Sequence, residues 1–171
     1  MKVSVIGIDK VISDLEKYMD KLPYKMRRFA KELGDIGYEQ AYTLYSNALY
    51  AGENDIVVDH PFWNGDTLVL SASGETITFI EFGTGVWKYG GDIHPQAEEF
   101  GFRRGEYGYH LGKLRSWRYE GVPGNLGKVI TEGKHKGEIE TEGNPPAKAM
   151  YFASKEMREN ILTKAKEIFN G

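Results

Sequence analysis

Over the first fifty residues the apolar side chains recur every three to four positions, which commits that part of the chain to helix. Ile8, Val11, Ile12, Leu15, Met19 and Leu22 make one stripe. Met26, Phe29, Ala30, Leu33, Gly37, Ala41, Leu44, Tyr45 and Ala48 make a second. Pro23 falls between them. Proline closes a helix and suits the first turn of the next, so the spacing predicts helices over residues 9–21 and 23–50. Gly37 and Ala41 place small residues on the buried face of the second helix, where another backbone comes close. A helix of the same chain is favoured there over one from a neighbouring subunit.

After Ala51-Gly52 the period changes from 3.6 to 2. Residues 55–59 read as a short strand. Residues 66–72 and 75–82 flank Ser73-Gly74, a two-residue link of hairpin type. Pairing about that link sets Leu70 opposite Ile77 and Leu68 opposite Phe79, so a hairpin is predicted over 66–82. Residues 83–143 then hold 14 of the 21 glycines, interleaved with aromatics, and no sustained period. They read as a long irregular loop over 86–142, with short strands near Tyr107–Tyr109, Leu114–Tyr119 and Val129-Ile130. Gly143-Asn144-Pro145-Pro146 stops the loop and starts a closing helix over 147–169. The fold class is α+β, and the 171 residues are enough for a single domain.

Composition narrows the function. The net charge is −3, whereas a protein that coats nucleic acid is usually basic. The absence of cysteine excludes disulfide frameworks, thiolate zinc sites and cysteine nucleophiles, and fits a reducing cytoplasm. No segment reaches 18 consecutive apolar residues, so neither a membrane span nor a signal peptide is expected. Charge is uneven: residues 55–86 carry five acids and no Lys or Arg.

Motifs for chemistry are scarce. There is no nucleophile elbow, P-loop or zincin helix. Gly83-Thr84-Gly85 lacks the following helix that a phosphate site needs. His94 and His110 with Glu98 or Glu99 are the candidates for zinc, at a spacing that matches no metal motif. Exposed or packing histidines are the stronger reading. Arg103, Arg104, Lys113, Arg115 and Arg118 interleave with Phe100, Phe102, Tyr107, Tyr109, Trp117 and Tyr119, the composition of a single-strand platform. The same mixture is enriched in protein interfaces, which is the preferred reading because acids equal bases across residues 87–143.

Three segments carry a family resemblance. They are the N-terminal helices with the alanine-bearing stretch Phe29 to Ala48, the segment Ile80-Glu81-Phe82-Gly83-Thr84-Gly85, and the closing Gly143-Asn144-Pro145-Pro146-Ala147-Lys148-Ala149-Met150-Tyr151-Phe152-Ala153. The chain resembles the phage tail-component family typified by a small morphogenesis protein of lambdoid coliphages, the head–tail joining or neck proteins. Members have an aromatic–Glu–aromatic-Gly-Thr-Gly segment at the place of Glu81, Phe82, Gly83, Thr84 and Gly85. The long middle segment departs from the family pattern.

The resemblance implies a non-enzymatic virion component without cofactor or metal, assembled in the host cytoplasm. Such proteins form a ring between capsid portal and tail. Their partners are copies of themselves and the neighbouring head-completion and tail proteins, with DNA a non-specific passenger and no membrane involved. A tail terminator or other minor tail component is the nearest alternative. A metal-dependent enzyme or a single-strand-binding module is the alternative of another class. Glu81 is expected at a strand end, paired across a hairpin edge, across a subunit boundary, or within a capped turn of its own chain. In a DNA-conducting ring, Asp55, Asp59, Asp66 and Glu75 are candidates to face the lumen, where acids repel phosphate. The competing reading is that they only keep a sheet face hydrated and its edge unpaired.

Overall fold

The computed structural model describes residues 8–85, 88, 92–101, 106, 107, 110, 111 and 115–170. Helix α1 spans Ile8–Ser46, 39 residues in one run. At 1.5 Å per residue it is about 58 Å long. The two helices expected over 9–21 and 23–50 are therefore one, which continues through Pro23 and stops at Ser46. Proline inside a helix costs about 3 kcal/mol. Here good helix formers on both sides and the packing of the C-terminal half outweigh that local cost.

That packing partner is the last helix, named α3 below, over Ala149–Phe169. The two helices run antiparallel. Phe29 meets Phe169 with ring centroids 5.7 Å apart, and Glu32 lies 3.4 Å from Lys164. Gly37 lies against Met157, where an added Cβ would come within 2.4 Å of its sulfur. Ala41 is fully buried. The small residues of α1 thus admit a helix of the same chain.

Between the helices lies a hairpin. Strand β1 (Val57–Val58) pairs with β4 (Ala72–Ser73), and β2 (Phe62–Asn64) pairs with β3 (Thr67–Val69), all antiparallel. Val58 faces Ala72 while Phe62 faces Val69, so residues 59–61 oppose only 70 and 71. This is a one-residue bulge at His60-Pro61, and proline suits a bulge because it has no N–H to donate. The turn is Gly65-Asp66, with Gly65 at φ 61°. The predicted hairpin over 66–82 is thus corrected. Its first strand is real, but the partner is the segment before it, and the turn is not Ser73-Gly74.

The segment expected as the second strand is a short helix, α2, over Ile77–Phe82. Two causes favour helix. The Asp55 carboxylate accepts hydrogen bonds from the Glu75 N–H (2.6 Å), the Thr76 N–H (3.1 Å) and the Thr76 hydroxyl, and so caps the first turn. Ile80 packs with Tyr45 and Ala149 in the core, with Ile77 against that cluster. The alternation of Thr76, Thr78 and Ile80 coexisted with this i, i+3 spacing, and packing decided between them.

The expected long loop over 86–142 also contains sheet. Strands β5 (Glu106–Tyr107) and β6 (His110–Leu111) pair with each other. Strands β7 (Trp117–Tyr119), β8 (Lys128–Val129) and β9 (Ile139–Thr141) form a sheet of order β7-β9-β8. Residues 86, 87, 89–91, 102–105, 108, 109 and 112–114 lie outside the description. No helix among the described residues is long and apolar enough to cross a membrane.

Candidate functional site

Helix α3 begins without a cap of its own. Its N-cap residue is Lys148, in left-handed conformation (φ 54°, ψ 32°), with no side-chain hydrogen bond to the first turn. Free N–H groups at a helix start need acceptors, and the helix dipole favours a negative one. Residues 80 and 81 supply all of them. The Ala147 N–H donates to the Ile80 carbonyl (2.8 Å) and the Lys148 N–H to the Glu81 carbonyl (3.1 Å). The Ala149 and Met150 N–H groups donate to Glu81 Oε2 (2.7 and 3.3 Å), and the Tyr151 N–H donates to Oε1 (3.2 Å). Only at Phe152, whose N–H reaches the Lys148 carbonyl at 2.9 Å, does α3 supply its own acceptors.

Glu81 is buried, at 6% exposure. Its fourth partner is His94, itself 3% exposed, with Nε2 3.2 Å from Oε1. The Gln96 N–H donates to His94 Nδ1 at 3.1 Å. Nδ1 is therefore an acceptor, the proton sits on Nε2, and a neutral imidazole donates to the carboxylate. The His94 ring is wedged between Phe82 (4.4 Å) and Tyr151 (5.6 Å). The Tyr45 hydroxyl is buried nearby with no partner in hydrogen-bond geometry among the described residues. Burial, and after it the Glu81 charge, push its pKa well up.

A second join lies three residues on. Thr84 and Asn144 exchange backbone hydrogen bonds (2.8 and 2.9 Å) as an isolated antiparallel bridge. The Asn144 N–H also reaches Thr84 Oγ1 (3.0 Å), the Thr84 hydroxyl meets Asn144 Oδ1, and Asn144 Nδ2 donates to the Phe79 carbonyl (3.0 Å). The glycines follow from this closeness. A Cβ on Gly85 (φ 87°) would lie 2.1 Å from the Glu142 carbonyl oxygen, and one on Gly143 (φ 97°) 2.3 Å from that of Thr84. Glu81, Phe82, Gly83, Thr84 and Gly85 are thus one half of a clasp, and residues 143–151 are the other. Glu81 is not at a strand end, as expected, but in α2, with its carboxylate spent inside its own chain.

The four acids of the hairpin region have separate settings. Asp55 caps α2, and its carboxyl is held below its ordinary range by the Thr76 hydroxyl and the Glu75 N–H. Glu75 is exposed beside it, at the open end of the hairpin. Asp59 is exposed and accepts the Ser71 hydroxyl at 2.7 Å. Asp66 stands in the hairpin turn, fully exposed and 3.8 Å from Arg27.

The zinc candidates do not assemble. His94 is committed to Glu81, the Glu99 carboxylate accepts from Gln96 (3.1 Å), and the side chain of His110 lies outside the description. Among the described residues, no group of three or more His, Asp and Glu is placed to hold a metal. Of the single-strand candidates, Arg103, Arg104, Lys113, Phe102 and Tyr109 also lie outside it.

Two features escaped sequence reasoning. One is the Glu81–His94 pair, whose only trace was a closing helix that opens on Pro-Pro-Ala-Lys with no Ser, Thr, Asp or Asn to cap it. The other is an open, apolar cleft of about 570 Å³ lined by Tyr50, Phe79, Trp117, Tyr119 and Val122, with Glu53 among its remaining residues. It joins four segments distant in sequence, so no local pattern announces it. Comparisons with protein-family models, with curated proteins and with solved structures find no match for this chain.

Proposed function

We propose that this protein is a structural virion component of the phage neck, part of a ring at the junction of capsid portal and tail. The observation that carries the reading is the clasp. Two of the three segments that carry the resemblance, Glu81 to Gly85 and Gly143 to Ala153, are far apart in sequence. They meet as two halves of one hydrogen-bonded unit, Glu81 on the Ala149, Met150 and Tyr151 N–H groups and Thr84 on Asn144. The segment that departs from the family pattern, 86–142, leaves and returns at that bridge. It is an excursion from a helical and hairpin framework that the resembling segments complete.

In this role the chain's work is assembly rather than chemistry. Its partners are other copies of itself and the adjoining head-completion and tail proteins, and DNA passes as a non-specific cargo. Asp59, Asp66 and Glu75, exposed on or beside one hairpin, are the acids available to a lumen wall, whereas Asp55 is occupied in capping α2. The deciding experiment is electron microscopy of particles made without this protein. Filled heads and complete tails that fail to join are the expected result. Intact, infectious particles lacking the protein would overturn the reading.

A further inference from the structure

The hairpin turns at Gly65-Asp66, and its last strand pair is Asn64 with Thr67. Gly65 has a φ of 61° and Asp66 has no positive φ, so the glycine stands where a two-residue turn of type II′ calls for one. Residues 62–67 are exposed, and a Cβ added at Gly65 would meet nothing within 4 Å. The Asn64 side chain has no hydrogen-bond partner among the described residues, and the Gly65 N–H has no acceptor among them. A free side-chain amide therefore stands next to a free backbone N–H at an open tip.

The asparagines elsewhere in the fold are held or blocked. The Nδ2 of Asn47 donates to the Thr43 carbonyl (2.8 Å), that of Asn54 to the Tyr45 carbonyl (2.8 Å), that of Asn125 to the Ala48 carbonyl (3.1 Å) and that of Asn160 to the Glu156 carbonyl (2.9 Å). Each of these four is followed by a residue whose side chain crowds its nitrogen. Asn144 is buried, and Pro145 after it has no N–H. Asn170 precedes Gly171, which lies outside the described residues. We propose that Asn64 is a self-modifying site, which loses its amide by attack of the Gly65 nitrogen and becomes aspartate or isoaspartate. The inference does not depend on the neck reading.

The reaction needs only water and hydroxide. Hydroxide takes the proton of the Gly65 N–H, and the nitrogen attacks Asn64 Cγ. Glycine has no side chain to obstruct that approach. The bond from the Gly65 nitrogen to Cγ forms, the Cγ–Nδ2 bond breaks, and Nδ2 takes a proton from water and leaves as ammonia. Water then opens the five-membered imide at either carbonyl. Opening at Cγ breaks the new bond and gives aspartate on the original backbone. Opening at the main-chain carbonyl breaks its bond to the Gly65 nitrogen and gives isoaspartate, whose backbone runs through Cβ and Cγ and is longer by an atom. Either product moves the formal charge from −3 to −4. It adds a carboxylate to a hairpin that already carries Asp59 and Asp66 and has no Lys or Arg of its own. A two-residue turn fixes the register of its strands, so isoaspartate opens the Asn64–Thr67 pair and aspartate keeps it.

The test incubates the folded full chain at pH 6 and at pH 9 and follows it by isoelectric focusing and by mass spectrometry of its peptides. A more acidic band is expected, sooner at pH 9, with the Asn64 peptide gaining the mass difference between NH2 and OH. An isoaspartyl methyltransferase should label part of that product. Asn64 should convert at least about tenfold faster than Asn47, Asn54 or Asn160, the margin of about 1.4 kcal/mol that one hydrogen bond holding an amide supplies. Asn64→Gln should abolish the conversion there, because the larger ring closes far more slowly. The position is exposed, so folding should survive, and circular dichroism checks it. Asn170→Gln should leave conversion at Asn64 unchanged. An Asn64 peptide that keeps its mass while the acidic band forms through Asn170 would overturn the proposal. So would conversion of Asn64 in urea but not in the folded chain, since the turn would then protect its amide.

Discussion

Replacing Glu81 by alanine removes the acceptor of three consecutive N–H groups and of the His94 Nε2–H. The site is 6% exposed, so water cannot freely replace the carboxylate. Breaking a buried charged partnership on one side typically costs 3–5 kcal/mol, and we expect Glu81→Ala to lose about that much. Against an ordinary total of about 5–15 kcal/mol, this is a large fraction. In a chain of this size it lowers Tm by roughly 6–20 °C. Glu81→Gln separates charge from shape. It keeps one acceptor for α3 but turns an amide NH2 toward His94, whose Nδ1 is occupied by the Gln96 N–H and whose Nε2 must therefore donate. Two donors then face each other, and the loss of charge at the helix start adds to the cost, so Gln should lose about 2–3 kcal/mol. Urea unfolding measures both, with the midpoint falling and the slope unchanged. Hydrogen exchange should localise the loss to the Ala149, Met150 and Tyr151 amides. An Ala variant within about 0.5 kcal/mol of the parent, the range of an ordinary surface change, would refute the reasoning.

Pro23→Ala should raise helicity by far-UV circular dichroism and stabilise α1 by up to about 3 kcal/mol, because the proline lies inside one continuous helix. An unchanged spectrum would mean that the chain breaks there. The Asp55 carboxyl titrates below its ordinary 3.8 because the folded state hydrogen-bonds its charged form. A depressed folded pKa adds stability that is present above the unfolded value and lost as pH falls through the folded one. Asp55→Asn should therefore be less stable than the parent at pH 7, with the difference shrinking below about pH 4; a gap independent of pH from 7 to 2 would exclude the cap. On the proposed neck role, Asp59, Asp66 and Glu75 changed together to lysine should leave folding and incorporation into particles intact and impair DNA retention or ejection. Unchanged infectivity with the variant chain present in virions would rule out a lumen position for them.

The parts of the fold legible in the sequence are those set by a long period. The stripes from Ile8 to Tyr45 and from Met150 to Ile168 repeat often enough to identify both long helices, and Gly37 and Ala41 pointed to a close helix of the same chain without saying which. The hairpin failed because Thr76 to Phe82 satisfies two periods at once in too few residues to choose. Its fate was settled by Asp55, twenty residues away, and by Tyr45 across the core. Pro23 misled for the opposite reason. A local rule was applied where the rest of a 39-residue helix outweighs it. At the clasp, the residues Glu81 to Gly85 were singled out from the chain alone, but their partner was not. A carboxylate that caps a helix 68 positions later leaves no trace in the residues beside it.

That separation explains how a framework of two helices and a hairpin accommodates a middle segment as long as 86–142. The Thr84–Asn144 bridge holds the entry and exit of the segment at backbone hydrogen-bond distance. Whatever lies between, α2 and the start of α3 feel the same ends. Loop-closure entropy grows only logarithmically, with each doubling of length costing about 0.6 kcal/mol. Clamping the ends with five N–H groups on residues 80 and 81 and a buried Asn144 outweighs such increments many times over. Where the segment makes no contact with the framework, it is therefore free to vary in length and sequence. Residues that reach back to the framework are the exceptions: His94 touches Glu81, Asp92 meets Lys148, and Asn125 bonds the backbone of Ala48 and Tyr50 just past α1. His94 ties the excursion to the clasp, so the middle segment adds an element of its own to the join that closes the framework.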